Sequence, residues 1–316
     1  MGKRPGPGSR VGDRCPQPPA IRYQSASVGR LQRIFVGDVQ GCADELDEVL
    51  ERARRAFGDR FELWVVGDLV NRGPDNVRAL ERVRALVDAG RGRYVLGNHE
   101  IALLRVAAGL RPLSPLDSFS DVLGRTDASE WIEWLRRRPL VVTGRLGRQR
   151  FVMAHAAMHP EWDLDELVER ARRVEARLGH RDRGELEQLL AADRSRDADR
   201  DLLGRLTSCR SVGPGEDWST QPPGDVGADE AWHARWAARD HRFGVVYGHW
   251  SLQGLHVAAW LRGLDTGCVH HGRGRAGTLT AWLPDPDADS PFDLPDDRFW
   301  RVPARRAYYA HRDAVL

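Results

Sequence analysis

Five short apolar runs in the 316-residue chain end in side chains able to bind metal ions. Ile34-Phe35-Val36 runs into Gly37-Asp38-Val39-Gln40-Gly41, and Leu63-Trp64-Val65-Val66 runs into Gly67-Asp68-Leu69-Val70-Asn71-Arg72-Gly73-Pro74. Tyr94-Val95-Leu96 leads to Gly97-Asn98-His99-Glu100, Phe151-Val152-Met153 to Ala154-His155-Ala156, and Val245-Val246-Tyr247 to Gly248-His249-Trp250. Each run is too short for a helix and rich in β-branched or aromatic residues, so each reads as a strand. Ligands of open α/β sheets collect at the carboxyl ends of strands, where neighbouring loops converge on one crevice. Two carboxylates, one amide and two imidazoles crowded there would repel one another or lie unsatisfied without a cation. A mixed oxygen and nitrogen donor set suits manganese, iron, cobalt, nickel or zinc. The expected centre holds two divalent ions about 3.5–4 Å apart, the arrangement that clamps an in-line displacement at phosphorus.

The elements that must position these residues show in the periodicity. Leu46, Val49 and Leu50, then Val77, Leu80, Val83 and Leu86, recur at three- and four-residue steps. This predicts helices over 43–56 and 75–88, hence two β-α-β units on a parallel sheet. Charged amphipathic stretches over 128–138 and 163–203 interrupt the strand rhythm and predict a helical insertion or cap. Residues 211–228 read as loop, the acidic stretch after Leu283 as irregular, and residues 1–30, rich in Gly, Pro, Arg and Ser, as a disordered leader.

Composition narrows the function classes. A 41% hydrophobic content excludes a disordered chain, and 48 basic against 46 acidic residues leave a net charge of +2, too small to imply a nucleic-acid partner. Lys3 is the sole lysine, so 47 of the 48 basic residues are arginine and no single arginine is informative by type alone. Cys15, Cys42, Cys209 and Cys268 lack paired spacing, which fits a reducing cytoplasm. The N-terminus lacks the apolar stretch of a signal peptide, and no run approaches the roughly 20 apolar residues of a membrane span. A soluble cytoplasmic protein without a membrane partner is expected, of unspecified oligomeric state.

The ordered series GDVQG, GDLVNRGP and GNHE, followed by two later histidine motifs, resembles the calcineurin-like metallophosphoesterase superfamily over about residues 31–283. GNHE followed by IALLRVAAG, MAHAAMHPEWD, YGHW and GLDTGCV are similar to the symmetrical bis(5'-nucleosyl)-tetraphosphatases within it. The resemblance implies an α/β metallophosphoesterase sandwich of two mixed β-sheets flanked by helices, occupying 31–283. Helical cap segments would lie near 108–140 and 157–240, with 284–316 as a tail. It implies hydrolysis of diadenosine tetraphosphate to two ADP, by attack of a hydroxide held between two divalent ions, manganese or cobalt ahead of iron, nickel or zinc. Asp38 and Gln40 would hold the first ion, Asp68 would bridge both, and Asn98, His155 and His249 would hold the second. His99 would be the general acid, and Arg72 would grip the phosphate under attack with its planar fork. Arg210, in LTSCRSVG, stands where a further phosphate-binding arginine is expected.

Departures from the family pattern carry their own expectations. Gln40 replaces the usual His, so the first ion loses a nitrogen donor. Asn71 replaces the Asp that orients the catalytic His in phosphoprotein phosphatases, so His99 is expected to be oriented otherwise, with Glu100 as a candidate. His270, His271, Arg273 and Arg275 could contact a polyphosphate chain. Among Trp131, Trp134, Trp162, Trp232, Trp236 and Trp250, one or two could stack on adenine. Asp265 could equally fix a loop by accepting backbone N–H bonds. Cys42 needs no nucleophilic role. The competing functions are a serine/threonine phosphoprotein phosphatase and a non-catalytic nucleotide-binding protein with a decayed metal centre.

Overall fold

The computed structural model describes residues 31–215, 217–224, 230–272, 274–293 and 298–308. The expected leader, residues 1–30, lies outside the described residues, as does Arg273.

In chain order, β1 (Gln32–Val36), α1 (Ala43–Phe57), β2 (Phe61–Val65), α2 (Asn76–Asp88), β3 (Gly92–Tyr94) and α3 (Asn98–Ala107) form the two expected β-α-β units. Next come α4 (Ser120–Leu123), α5 (Ala128–Leu135) and the hairpin β4 (Val141–Leu146) and β5 (Gln149–Ala154). The helical insertion is α6 (Leu164–Leu178), α7 (Arg183–Ala191) and α8 (Ala198–Ser208). After it come β6 (Ser211–Val212), β7 (Trp218–Ser219), β8 (Glu230–Ala231), α9 (Trp232–Ala237), β9 (Phe243–Tyr247), β10 (His256–Ala258), β11 (Leu261–Gly263), β12 (Thr278–Trp282) and β13 (Phe299–Pro303).

Two five-stranded mixed sheets result, ordered β13-β12-β1-β2-β3 and β10-β11-β9-β5-β4. β1, β2 and β3 run parallel, as do β5, β9 and β11. The sheets pack face to face through alternate residues of their strands. Phe35 of β1 lies 5.3 Å from Trp64 of β2, 5.4 Å from Phe151 of β5 and 5.2 Å from Trp282 of β12, ring centre to ring centre. Its neighbours Ile34 and Val36 point the other way, into the cluster that buries Leu46, Val49, Leu50 and Ala53 of α1. Strands covered on both faces lose the polar alternation of a half-exposed sheet, which is why the runs were continuously apolar.

Three expectations are corrected. The region after Leu283 does not end as a tail, because Phe299–Pro303 pairs antiparallel with β12 and forms the sheet edge, with Trp300 and Val302 buried inward. Residues 211–228 are not wholly loop, since Ser211–Val212 and Trp218–Ser219 join a small three-stranded sheet with β8. β3 ends at Tyr94, two residues early, because Leu96 turns its N–H to the Pro139 carbonyl. No helix among the described residues is long and apolar enough to cross a membrane.

Candidate metal centre

All five expected donor segments leave parallel strands at their carboxyl ends and meet there. Asp68 is the hub. Its Oδ1 accepts the His99 backbone N–H at 2.9 Å and lies 3.4 Å from His155 Nε2. Its Oδ2 lies 3.6 Å from His99 Nε2 and 3.5 Å from Gln40 Nε2. Asn98 Oδ1 stands 3.1 Å from His155 Nε2 and 2.9 Å from His249 Nδ1. Asp38 joins from the other side by accepting the His249 backbone N–H, at 3.1 and 3.2 Å to its two oxygens. One donor atom each from Asp68, His155 and His249 falls within a 4.8 Å sphere of mutual distances.

The close approach has a backbone reason. A Cβ on Gly97 would collide with the Asp68 carboxylate, and one on Gly248 with the Asp38 carboxylate. Six described residues other than glycine adopt positive φ, and five of them are Gln40, Asp68, Asn71, Arg72 and His249. Such strain persists only where surrounding contacts enforce it, and it concentrates at functional sites.

Glu100 supplies much of that enforcement. Fully buried, it accepts the backbone N–H groups of Gly97, Asp68, Leu69 and Val70 at 2.8 to 3.2 Å. The expected role of Glu100 beside His99 is therefore corrected: its carboxylate clamps the β2–α2 loop onto the first turn of α3.

His99 is oriented by Asn71 after all, against the expectation that asparagine in place of the usual Asp gives up that contact. Asn71 Oδ1 accepts the backbone N–H groups of Arg72 and Ser118, both at 2.9 Å. This fixes the amide orientation, so Nδ2 faces His99 Nδ1 at 2.7 Å and the Asp117 carboxylate at 3.1 Å. Arg111 holds Asp117 in turn, at 2.8 Å. His99 Nδ1 must then accept, and the ring's one proton sits on Nε2, on the side facing Asp68.

The other two imidazoles carry the opposite message. His155 Nδ1 donates to the Val66 carbonyl at 2.9 Å, and His249 Nε2 donates to the Ser208 carbonyl at 3.1 Å, where α8 ends. In the neutral form of each ring the remaining nitrogen offers a lone pair toward Asn98 Oδ1, and although burial opposes it, Asp68 raises the His155 pKa, so positive charge is favoured between these groups. A cation between them supplies that charge through coordination, and carbonyl-anchored imidazoles are the usual outer support of a metal ligand. The carboxylates agree. Burial, then Asp265 and Asp68, hold the Asp38 carboxyl well above its ordinary range. Burial and Asp68 push Glu100 to about 7, and burial raises Asp265 to about 6. Burial would also raise Asp68, but His155 and His99 outweigh it and hold it below its ordinary value. The residues present fit a dinuclear divalent centre.

A pH-dependent stability follows. Glu100 and Asp265 have folded-state values above their unfolded ones, so their contribution is fully present below about pH 4 and is lost as pH rises through 6 to 7. Bound cations reverse this by favouring the ionised carboxylates. Chelation is expected to lower the thermal midpoint more at pH 7.5 than at pH 5, as scanning calorimetry on loaded and stripped protein would measure. An equal drop at both values contradicts the charge argument.

The remaining expected site residues are placed as follows. Arg72 lies close enough to His99 for its charge to act on the ring, and its Nη1 donates to the Leu116 carbonyl at 3.4 Å. Arg210 donates to the carbonyls of Thr220 at 2.7 Å and His249 at 3.4 Å. Burial lowers its pKa against the pull of Asp265, Asp68 and Asp38, so its cation lies within electrostatic reach of those three carboxylates. Gln40 presents its amide toward Asp68 and no nitrogen lone pair. Asp265 accepts the Gly267 N–H at 2.9 Å, the loop-fixing alternative. Trp131, Trp134, Trp232 and Trp236 are core residues with 8% exposure or less, which removes them as base-stacking candidates. Trp162 stacks on His159 at 4.3 Å, and Trp250 is half-buried beside His249.

Residues 32–206 match the sequence profile of the calcineurin-like phosphoesterases. The chain belongs to the calcineurin-like phosphoesterase family. These enzymes are metal-dependent hydrolases that use a dinuclear divalent centre, and the convergent donors described above are candidate ligands for one. A Ralstonia nicotianae protein named bis(5'-nucleosyl)-tetraphosphatase, symmetrical, is 36% identical over 258 residues, covering 78% of this chain and 88% of its own length. An Escherichia coli protein of the same name is 34% identical over 260 residues, covering 78% and 89%. Among solved structures, one provisionally named diadenosine tetraphosphatase superposes with a TM-score of 0.56 at 24% identity, over 87% of this chain and 94% of its own. That superposition bears out the two-sheet sandwich.

Proposed function

We propose that this phosphoesterase hydrolyses diadenosine tetraphosphate symmetrically to two ADP in the cytoplasm, with manganese or cobalt as its preferred ions. The observation that carries the reading is the pairing of a convergent metal-donor set with one imidazole whose proton is locked on the nitrogen facing it. The similarity to relatives named for that substrate supports the choice of substrate.

Asp38 and Gln40 would hold one cation, Asn98, His155 and His249 the other, and Asp68 both. When bound, the two cations supply Lewis acidity and an activated water. The chain's own residues do the rest. Arg72 aligns the phosphoryl group under attack by matching two of its nonbridging oxygens, with Arg210 joining from beside His249. The water oxygen bonds to phosphorus, the bond to the bridging oxygen breaks, and the water's proton passes to solvent. His99 Nε2–H hydrogen-bonds to the bridging oxygen as charge develops there. A departing terminal phosphate with a second pKa of about 6 needs no full proton transfer at neutral pH. His99 therefore works as a neutral donor, a narrower role than the general acid expected from the family pattern.

Incubation with manganese or cobalt and diadenosine tetraphosphate, followed by chromatography, tests this directly. ADP as sole product is the expected result. ATP with AMP would mean asymmetric cutting, phosphopeptide hydrolysis without nucleotide turnover would mean a phosphoprotein phosphatase, and no turnover of either would mean a decayed centre. The Gln40→His substitution restores a nitrogen donor and is expected to raise metal retained after dialysis, measured by elemental analysis. Equal retention in both proteins would show that Gln40 is no handicap.

A further inference from the structure

A cavity of about 460 Å³ opens beside the metal centre, within the range of small-molecule sites. Arg210, Trp250, Ser251, Leu252, His270 and Arg275 line it, together with the 220–222 segment. It begins at the centre itself, since Arg210 donates to the carbonyl of His249 and Trp250 is the next residue. Its lining is of two kinds, cationic and apolar. Arg210 and Arg275 are held by neutral oxygens, Arg275 by the Ser251 carbonyl at 2.6 Å and the Ser251 hydroxyl at 2.9 Å. No carboxylate among the described residues forms an ion pair with either arginine, although Asp265 acts on both at longer range, so neither guanidinium is closed off to an anion by a carboxylate contact. The apolar part of the lining is Trp250 and Leu252, the latter at 74% the most exposed large apolar side chain among the described residues.

The turn that carries this apolar part is built rigidly. Gln253 donates its N–H to the Trp250 carbonyl at 2.9 Å, accepts from the Tyr247 hydroxyl at 3.0 Å, and reaches His233 at 2.6 Å. His233 packs against the Trp250 ring, 5.8 Å between centres. A braced aromatic surface and two arginines lining one cavity beside a phosphoryl-transfer centre match one ligand shape: a planar base joined to a short run of phosphates.

We propose that this cavity is the subsite for one nucleoside of the dinucleoside polyphosphate, with Trp250 and Leu252 receiving the base and Arg210 and Arg275 the phosphates between base and scissile bond. The proposal rests on the hydrolase reading above and adds what sets the cleavage position. Phosphorus lands at the centre according to how many phosphates span the distance from the seated base.

The test compares Trp250→Ala and Leu252→Ser with wild type on diadenosine tetraphosphate and on p-nitrophenyl phosphate, which has no nucleoside. Both substitutions are expected to lower kcat/KM on the dinucleotide about tenfold more than on the aryl phosphate, through KM. Equal losses on the two substrates, or none on either, would overturn the subsite. Leu252 is exposed, so its variant decides the matter should Trp250→Ala fail to fold. If wild type hydrolyses only the aryl phosphate, the substrate reading fails while the cavity stays testable by ADP titration calorimetry. Binding weakened about tenfold by Leu252→Ser would support a nucleotide subsite, and unchanged binding would overturn it.

Discussion

With asparagine at position 68, turnover is expected to fall by about 10³-fold or more, the several kcal/mol that a Lewis-acid centre contributes to such a reaction. The substitution preserves shape, so the geometry dictates how it acts. Asp68 Oδ1 accepts the His99 backbone N–H, and an amide must keep its oxygen there to avoid facing donor with donor. Its nitrogen then replaces Oδ2, the oxygen turned toward Gln40 and His99. One cation loses its shared ligand while the other keeps it. The dialysed variant should retain fewer ions per chain than wild type, with the loss confined to one of the two positions, as elemental analysis would show. Because Gly97 crowds the carboxylate, a larger residue would also disturb packing, whereas asparagine separates ligation from fold. Full retention of both ions with unimpaired turnover would remove Asp68 from the bridging position.

The donor set was legible because each donor directly follows an apolar strand, and strands buried on both faces announce themselves as continuous apolar runs. The carboxyl ends of parallel strands in the two packed sheets then bring Asp38, Asp68, Asn98, His155 and His249 together. What escaped is what depends on contacts between distant segments. Asn71 meets His99 across 28 residues and Asp117 across 46, and nothing local in GDLVNRGP says which way its amide turns. Glu100 sits beside His99 in sequence, yet the helix carries its side chain around to three N–H groups of the β2–α2 loop and to that of Gly97. Proximity in sequence misled there because neighbouring helical residues point about 100° apart. β13 was hidden for another reason. Five residues behind an irregular acidic stretch offer too short a pattern, and only pairing with β12 makes them a strand. The tryptophans show the same limit, since their type marks burial or stacking alike and only the packing of Trp134 on Tyr94, or Trp232 on Tyr247, assigns them to the core.

Removing the imidazole by His99→Ala is expected to lower kcat by about 10²–10³-fold with little change in KM, the effect of losing one donor aimed at developing charge. Asn71 gives this prediction its finer structure. Its amide donates to Nδ1 and so excludes the imidazolium, whose Nδ1–H would point at the amide's own hydrogens. Burial, together with the Arg72 charge, likewise lowers the His99 pKa despite Asp68. The working form is the neutral ring, and kcat should not decline between pH 7 and pH 8.5 as an imidazolium acid would require. Asn71→Ala frees the ring to exchange tautomers and should reduce kcat about tenfold, the scale of losing an orienting partner. In the double variant the amide has nothing left to orient, so the losses should not add: His99→Ala with Asn71→Ala should turn over no more slowly than His99→Ala alone. Multiplicative losses would mean that Asn71 acts through the loop it braces at Ser118, and a wild-type kcat falling above pH 7 would return the proton-transfer role to a charged His99.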